Sequence, residues 1–311
     1  MTVTHETGRE RLARRLSMVK LVLGHPQNRD HRLRALGRMM VWQVWRALVR
    51  RPVTTHFWGD LSVRVYPGWP YSWTAIYLGL PEYDDMMFTM RYLRHGDVLV
   101  DVGANIGFYS LIASSVNGGA PVVAIEPHPV ASQRLRENAS INAFENIRVR
   151  PVAAGASAST AQLTSDLADE NHIAARDEDV PTLRVPVVTL DSELERLGID
   201  PMTVRLVKVD TEGFEARVLA GARGLLDQAP GAVWLIEMTG LGERYGNRDD
   251  QVRDVFAARG YRPFRYLERE NRIVPYPARE QGAGNVIFAR SADLVTRRLE
   301  GAAVRDHRAV A

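Results

Sequence analysis

The sequence predicts a doubly wound α/β sheet with an antiparallel C-terminal edge, preceded by a basic helical segment. Three observations carry that reading. From Asp97 onward, short apolar runs alternate with amphipathic stretches at the spacing of strand–helix–strand units. The first run ends in a glycine-bearing turn, "DVGANIG" at 101–107, which leads directly into a helical pattern. The last two runs, "YRPFRYLE" and "AGNVIFAR", read as an antiparallel pair that closes the sheet.

The elements follow in order. Residues 9–51 read as helices: Leu12, Leu16, Val19 and Leu23 recur at helical spacing, and "HRLRALGRMMVWQVWRALVRR" is a second, arginine-studded amphipathic stretch ending at Pro52. Residues 55–66 alternate around a Gly-Asp turn and predict a hairpin. "PEYDDMMFTMRYLRHGD" is a helix closed by Gly96. Then come the strand "DVLVDVG", the helix "NIGFYSLIASSV", the strand "PVVAIEP", the helix "PVASQRLRENASINA" and a third strand, "IRVRPVAAG". After a polar stretch, "LRVPVVTLD" leads into the helix "SELERLG". The strand "VRLVKVDTEG" runs into the helix "FEARVLAGARGLLDQ", and the strand "GAVWLIEMTG" precedes a late helix, "RDDQVRDVFAARG". Three parts result: a basic helical region over 1–54, the α/β domain over 55–290, and an arginine-rich tail over 291–311 expected to be poorly ordered.

Composition narrows the chemistry. A chain of 311 residues, 45% hydrophobic, suffices for one large domain with appendages or two small ones. The absence of cysteine excludes disulfides, cysteine-ligated zinc, iron–sulfur clusters and thiol nucleophiles. None of the eight histidines forms an HxH or HxxxH pair, so no metal ligands are assigned. No apolar run approaches the roughly 18–20 residues of a membrane span. Acids and arginines stand where a signal peptide would have its apolar core, so a cytoplasmic location is expected. The net charge is +3, yet residues 1–52 carry twelve Lys/Arg against three Asp/Glu. That asymmetry fits either an anionic partner or a solvated helical face. Only Lys20 and Lys208 are lysines among the 40 basic residues, so each lysine draws scrutiny.

Ligands of open α/β sheets bind beyond the carboxyl ends of the strands, near the topological switch point. A dinucleotide fingerprint there needs G-x-G-x-x-G. This loop has Gly103, then Asn105 and Phe108 where the other two glycines belong. Asp101 would repel a pyrophosphate and suits a cationic ligand. Glu126, 23 residues after Gly103, ends the second strand, placed to accept hydrogen bonds from two ribose hydroxyls. Two such acids without a phosphate cradle favour S-adenosylmethionine, which bears an amine, a sulfonium and a ribose but no phosphate. The plainer alternative is that D-x-G-x-N-x-G only caps a helix.

Several blocks together carry a resemblance. "LRHGDVLVDVGANIGFYSLIAS", "VVAIEPHP", "LRENASINAFENIRVRPVAAG", "VVTLD", "VKVDTEGFEARVLAG" and "IEM" resemble, in order, those of the FkbM-type S-adenosylmethionine-dependent methyltransferases. The match spans residues 80–240 and, more weakly, 55–80 and 285–290. The resemblance implies a Rossmann-like, class I methyltransferase sheet and an O-methyltransferase acting on hydroxyls of sugars or secondary metabolites. It implies cofactor contacts around Asp101, Gly103, Ala104, Asn105 and Gly107, at Glu126 and Pro127, and at Asn138 in the following helix. Adenine is implied at Val152 and Ala153, where many other methyltransferases have an aspartate that this chain lacks. In the family, asparagine at the position of Asn105 is the usual form.

Methyl transfer to an alcohol needs in-line approach of the oxygen and removal of the hydroxyl proton. Lys208, Asp210 and Glu212 alternate at i, i+2 and i+4, so an extended segment projects them to one side, at the carboxyl end of a central strand. A lysine inside "VRLVKVD" needs a partner. Lys208 is therefore expected to pair with Asp210 or Glu212 and orient the acceptor, or else to form a structural salt bridge only. Glu237 holds the equivalent place on the next strand, and His172, in the polar stretch, offers a base with a near-neutral pKa. The base stays open among these five.

A small-molecule or glycosylated acceptor is expected. Trp58, Trp69, Tyr71 and Trp73 either stack on sugar faces or pack as core. The N-terminal helices form a lid, join two copies or lie on an acidic membrane, the first two being favoured. A nucleic-acid methyltransferase is the first alternative, disfavoured by a near-neutral body and no N/D-P-P-Y/F motif, so no nucleic-acid partner is expected. A non-catalytic methyltransferase-like module is the second, disfavoured by the retained Asp101, Glu126 and 208–212 set.

Overall fold

A computed structural model describes residues 8–167, 171–175, 178–277 and 284–301. The chain divides into two compact units, one reaching Tyr83 and the other starting at Asp84.

The first unit holds α1 (Gly8–Gly24), α2 (Arg32–Leu48), a hairpin of β1 (Val53–Trp58) and β2 (Leu61–Val65), and α3 (Pro70–Tyr77). The hairpin thus groups with the helices in the first compact unit, which reaches Tyr83. The cause is packing: Phe57, Val63 and Val65 are buried, and α3 contacts both strands. The aromatic segment is packing as well. The Trp73 indole N–H donates to the Tyr66 carbonyl at 2.7 Å, and the Arg46 guanidinium lies 4.3 Å from the Trp73 ring. Trp69 is buried, Trp58 meets Tyr83 edge-on, and the Tyr71 hydroxyl donates to Glu82.

The second unit begins with α4 (Tyr83–Tyr92) and alternates β3 (Val98–Val102), α5 (Phe108–Val116), β4 (Val122–Ile125), α6 (Pro129–Ile141) and β5 (Ile147–Arg150). The chain then leaves the sheet for β6 (Ala153–Ala154), β7 (Ser159–Thr164) and β8 (Thr182–Val188). It returns through α7 (Leu190–Arg196), β9 (Val204–Val209), α8 (Glu215–Ala220), α9 (Arg223–Gln228) and β10 (Val233–Met238). Finally come α10 (Asp249–Ala257), β11 (Arg262–Leu267), β12 (Arg272–Pro275), β13 (Gly284–Ala289) and α11 (Ala292–Glu300).

The main sheet runs β12-β11-β13-β10-β9-β3-β4-β5. Its strands from β5 to β10 are parallel, and β13, β11 and β12 add antiparallel neighbours. This is the doubly wound sheet with an antiparallel C-terminal edge that the sequence predicts. The central strands are apolar on both faces because helices cover both: Val98, Leu99, Val100 and Val102 are all buried, as are Leu206 and Val207.

Three local readings change. The third strand breaks at Pro151, which has no N–H to continue the ladder, so β5 stays in the main sheet while β6 joins a small sheet ordered β6-β8-β7. The helix at 214–228 breaks into α8 and α9, with Asp191 accepting from the N–H groups of Gly224 (2.7 Å) and Leu225 (2.8 Å) at the start of α9. The tail is ordered over α11, where Val295 and Leu299 are buried, Arg298 pairs with Asp97 and donates to the Tyr92 carbonyl at 3.1 Å. Residues 302–311 of that expected tail lie outside the described residues.

Candidate functional site

From β3 the chain steps outward to β4 and β5, then returns to place β9 on the other side of β3. The switch point therefore lies between β3 and β9, where a crevice opens at the carboxyl ends. The loop after β3 is pinned to the end of β9. Gly103 has φ 77°, and a Cβ built there would run into the Asp210 carbonyl oxygen, so only glycine fits. Asp210 in turn donates its N–H to the Val102 carbonyl at 3.0 Å.

Asn105 has φ 48°, a left-handed conformation that asparagine tolerates better than most side chains. This turn aims its amide at Glu126: the Asn105 N–H donates to Oε2 at 2.8 Å, and the His128 N–H to Oε1 at 2.8 Å. Glu126 is buried. Burial pushes its carboxyl up to about 7, aided by the negative charges of Asp101 and Asp210 and opposed by the two amides. Pro127 is half-buried beside it, and His128 caps α6 with its side chain toward the Ala131 N–H.

Asp101 is 1% exposed and accepts the Ser110 hydroxyl at 2.6 Å. Ala104 packs with Ala124 and Leu135, and Gly107 closes the loop by donating to the Ala104 carbonyl at 2.8 Å. Asn138 is fully buried and donates its amide to the Ile106 carbonyl at 2.9 Å. It supports the loop from within. Val152 and Ala153 are buried where the chain leaves β5.

Lys208 lies in register with Asp101 on β3 and with Leu235 on β10. It is buried, yet its charge is matched: Nζ stands 2.7 Å from Asp210 Oδ2 and 4.7 Å from the centre of the Tyr109 ring. The expected pairing therefore falls to Asp210. Glu212 lies beyond the strand in a turn with φ 55°, so strict alternation does not place it. The turn nevertheless gathers it: Asp210, Glu212 and Glu237 each offer an oxygen within 4.8 Å of the others. No metal ligands were expected here, and this trio is a set whose donors could hold one, although Lys208 already supplies a positive charge. Burial pushes the Glu237 carboxyl far up, reinforced by the charges of Asp210, Glu212 and Glu215. Glu237 therefore carries a proton at neutral pH and shares a hydrogen bond with Asp210. Glu215 fixes the turn, accepting from the N–H groups of Thr211 (2.9 Å) and Gly213 (3.1 Å).

His172 does not join this group as a free base. Its Nε2 faces the Glu178 carboxylate at 2.9 and 3.1 Å, on the excursion between β7 and β8. That excursion is held at two places: the His128 ring bonds the backbone of Ser165, and the Tyr245 hydroxyl donates to the Ile173 carbonyl at 2.5 Å. His128 follows β4 and Tyr245 follows β10, so the segment reaches across the carboxyl edge that includes β3 and β9.

Sequence reasoning missed Tyr109, Ser110, His128 and Glu215. His128 was legible as the residue before Pro129, a helix-start signal. Tyr109 and Ser110 reach Lys208 and Asp101 only through the packing of α5 on the sheet, which no local pattern encodes.

The chain matches the family model "Methyltransferase FkbM domain" over residues 101–263. It is 32% identical to 31-O-demethyl-FK506 methyltransferase FkbM of Streptomyces tacrolimicus, over 43% of this chain and 65% of that protein. It is 31% identical to hexuronic acid methyltransferase AglP of Haloferax volcanii, over 47% of this chain and 58% of that protein. Ribosomal protein L11 methyltransferase of Acetivibrio thermocellus is 30% identical over 29% of this chain and 28% of its own length. The chain thus spans less than two thirds of each of these relatives.

Proposed function

The chain belongs to the methyltransferase FkbM domain family, and from that premise we propose that it methylates a hydroxyl of a sugar or secondary metabolite with S-adenosylmethionine. The observation that carries the reading is Asp210, held between the Lys208 ammonium and the protonated Glu237 at the switch point.

The residues fit the cofactor. Glu126 would hold the ribose hydroxyls with lone pairs left beyond its two backbone bonds, and the Gly103–Gly107 loop brings backbone close without a phosphate cradle. Asp101 contributes the negative charge that a cationic ligand needs. When bound, S-adenosylmethionine supplies an electrophilic methyl group on a sulfonium.

The protein's part is to orient the acceptor and take its proton. As the hydroxyl oxygen becomes an ether oxygen, its proton turns strongly acidic and passes to the Asp210 carboxylate. Lys208 fixes that carboxylate and offers its charge to the reacting oxygen. Glu237, already protonated, donates to Asp210 rather than competing as the base. The excursion tied down by His128 and Tyr245 would cover the crevice and shape the acceptor pocket. The names of two relatives, on FK506 and on a hexuronic acid, support an oxygen-rich small molecule or glycan as acceptor. A cytoplasmic setting belongs to the same reading.

Release of S-adenosylhomocysteine against a panel of hydroxylated macrolides and uronic-acid glycosides tests it. Turnover with any of them, abolished in Asp210→Asn, is the expected result. Failure to bind S-adenosylmethionine in calorimetry overturns the enzyme reading.

A further inference from the structure

The first unit carries an apolar face that its own fold leaves uncovered. Helix α2 is buried along one side through Ala35 and Trp42. On the opposite side Leu33, Met40, Val41, Val44 and Leu48 are 85, 62, 69, 57 and 79% exposed. At 100° per residue these five fall within one stripe about 100° wide, running for about 25 Å along the helix. A soluble helix with one buried side normally presents charge on the other. On α1, Leu16 and Leu21 are also more than half exposed.

The surroundings of the stripe are cationic. Arg32 and Arg34 beside its start, Arg50 and Arg51 beyond its end, and Lys20 on α1 are all exposed. Residues 1–52 hold twelve basic against three acidic side chains. Exposed leucine and valine rimmed by arginine is the chemistry of a helix lying in a lipid headgroup region, where the arginine stems follow the apolar surface and the guanidinium groups meet phosphates. A second copy of the chain fits less well, because a two-fold contact would bring the same arginines together.

We propose that α2 docks the protein on an anionic phospholipid surface, the stripe entering the headgroup boundary and the flanking arginines binding phosphate. None of the described helices is long and apolar enough to cross a membrane, so the contact is peripheral.

Co-sedimentation of the full chain with phosphatidylglycerol vesicles and with phosphatidylcholine vesicles tests this. Binding is expected on the anionic vesicles alone, and it should weaken at high salt. Both Leu33→Glu/Val44→Glu and Arg32→Glu/Arg34→Glu should weaken it roughly tenfold or more. All four residues are exposed, and unchanged circular dichroism and melting temperature would show that the variants fold. No sedimentation with either vesicle, or equal binding to both, overturns the proposal. Light scattering that shows a dimer lost in Leu33→Glu/Val44→Glu overturns it in favour of a second copy.

Discussion

The backbone N–H of Asn105 stands 2.8 Å from Glu126 Oε2. The residue that spoils the dinucleotide fingerprint is thus the one that fixes the acid at the end of β4. Because Glu126 is raised to about 7, it is partly protonated near neutrality, whereas two ribose hydroxyls call for the ionised form. Cofactor affinity should rise with pH up to about 7, by as much as about tenfold per unit below it, and then level off. Calorimetry in two buffers should detect proton release on binding near neutral pH. Glu126→Gln should bind more weakly and lose the pH dependence; an unchanged profile would remove Glu126 from the site.

The same shift sets a stability trend. The folded chain keeps a proton on Glu126 that the unfolded chain gives up near 4.5. Its contribution is full below 4.5 and is lost as pH rises to about 7. The wild type should therefore lose more melting temperature over that window than Glu126→Gln does, with the two compared by scanning calorimetry without ligand.

Under the proposed function, Lys208 and Asp210 would separate binding from chemistry. Asp210→Asn should lower turnover by about a hundredfold or more while leaving cofactor affinity nearly intact. Lys208→Met leaves Asp210 without its ammonium, so it should also destabilise the fold, by about 1–3 kcal/mol. Denaturant melts and single-turnover rates measure the two effects; full rates in both variants would move the base elsewhere.

Gly103→Ala should be far worse than an ordinary loop substitution, because its Cβ meets the Asp210 carbonyl as well as a positive φ. A drop of at least about 5 °C in melting temperature is expected. Gly119→Ala is the control: its φ is 84° but nothing lies within 4 Å, so it carries only the backbone strain of about 1 kcal/mol.

Chelation distinguishes the two uses of the carboxylate trio. With Lys208 paired to Asp210 and a proton on Glu237, much of the negative charge is already compensated. Turnover should therefore survive excess EDTA and gain nothing from added magnesium. Activity lost with the chelator and restored by the ion would assign Asp210, Glu212 and Glu237 as ligands.

Much of this was legible in the sequence because it is local. The buried strands are continuous apolar runs, Asp101, Gly103 and Asn105 sit at one strand's end, and Lys208 is one of two lysines among 40 basic residues. What was not legible depends on long-range packing. That Glu237 is protonated follows from its burial in the packed sheet and then from carboxyl groups on a different strand and turn. That His172 is bound to Glu178 follows from how the excursion folds back. Pro151 was visible, but that it divides one apolar run between two sheets depends on β8 waiting to pair with β6.

That division has an evolutionary consequence. Beyond the break at Pro151, Ala154 pairs in the small sheet with Val188, the residue by which the chain comes back. The whole span between them enters and exits through a single doorway, so it can be lengthened, shortened or exchanged without moving a strand of the catalytic sheet. Under the proposed function, exchange of this span would alter acceptor choice while the β3–β9 site stays in place.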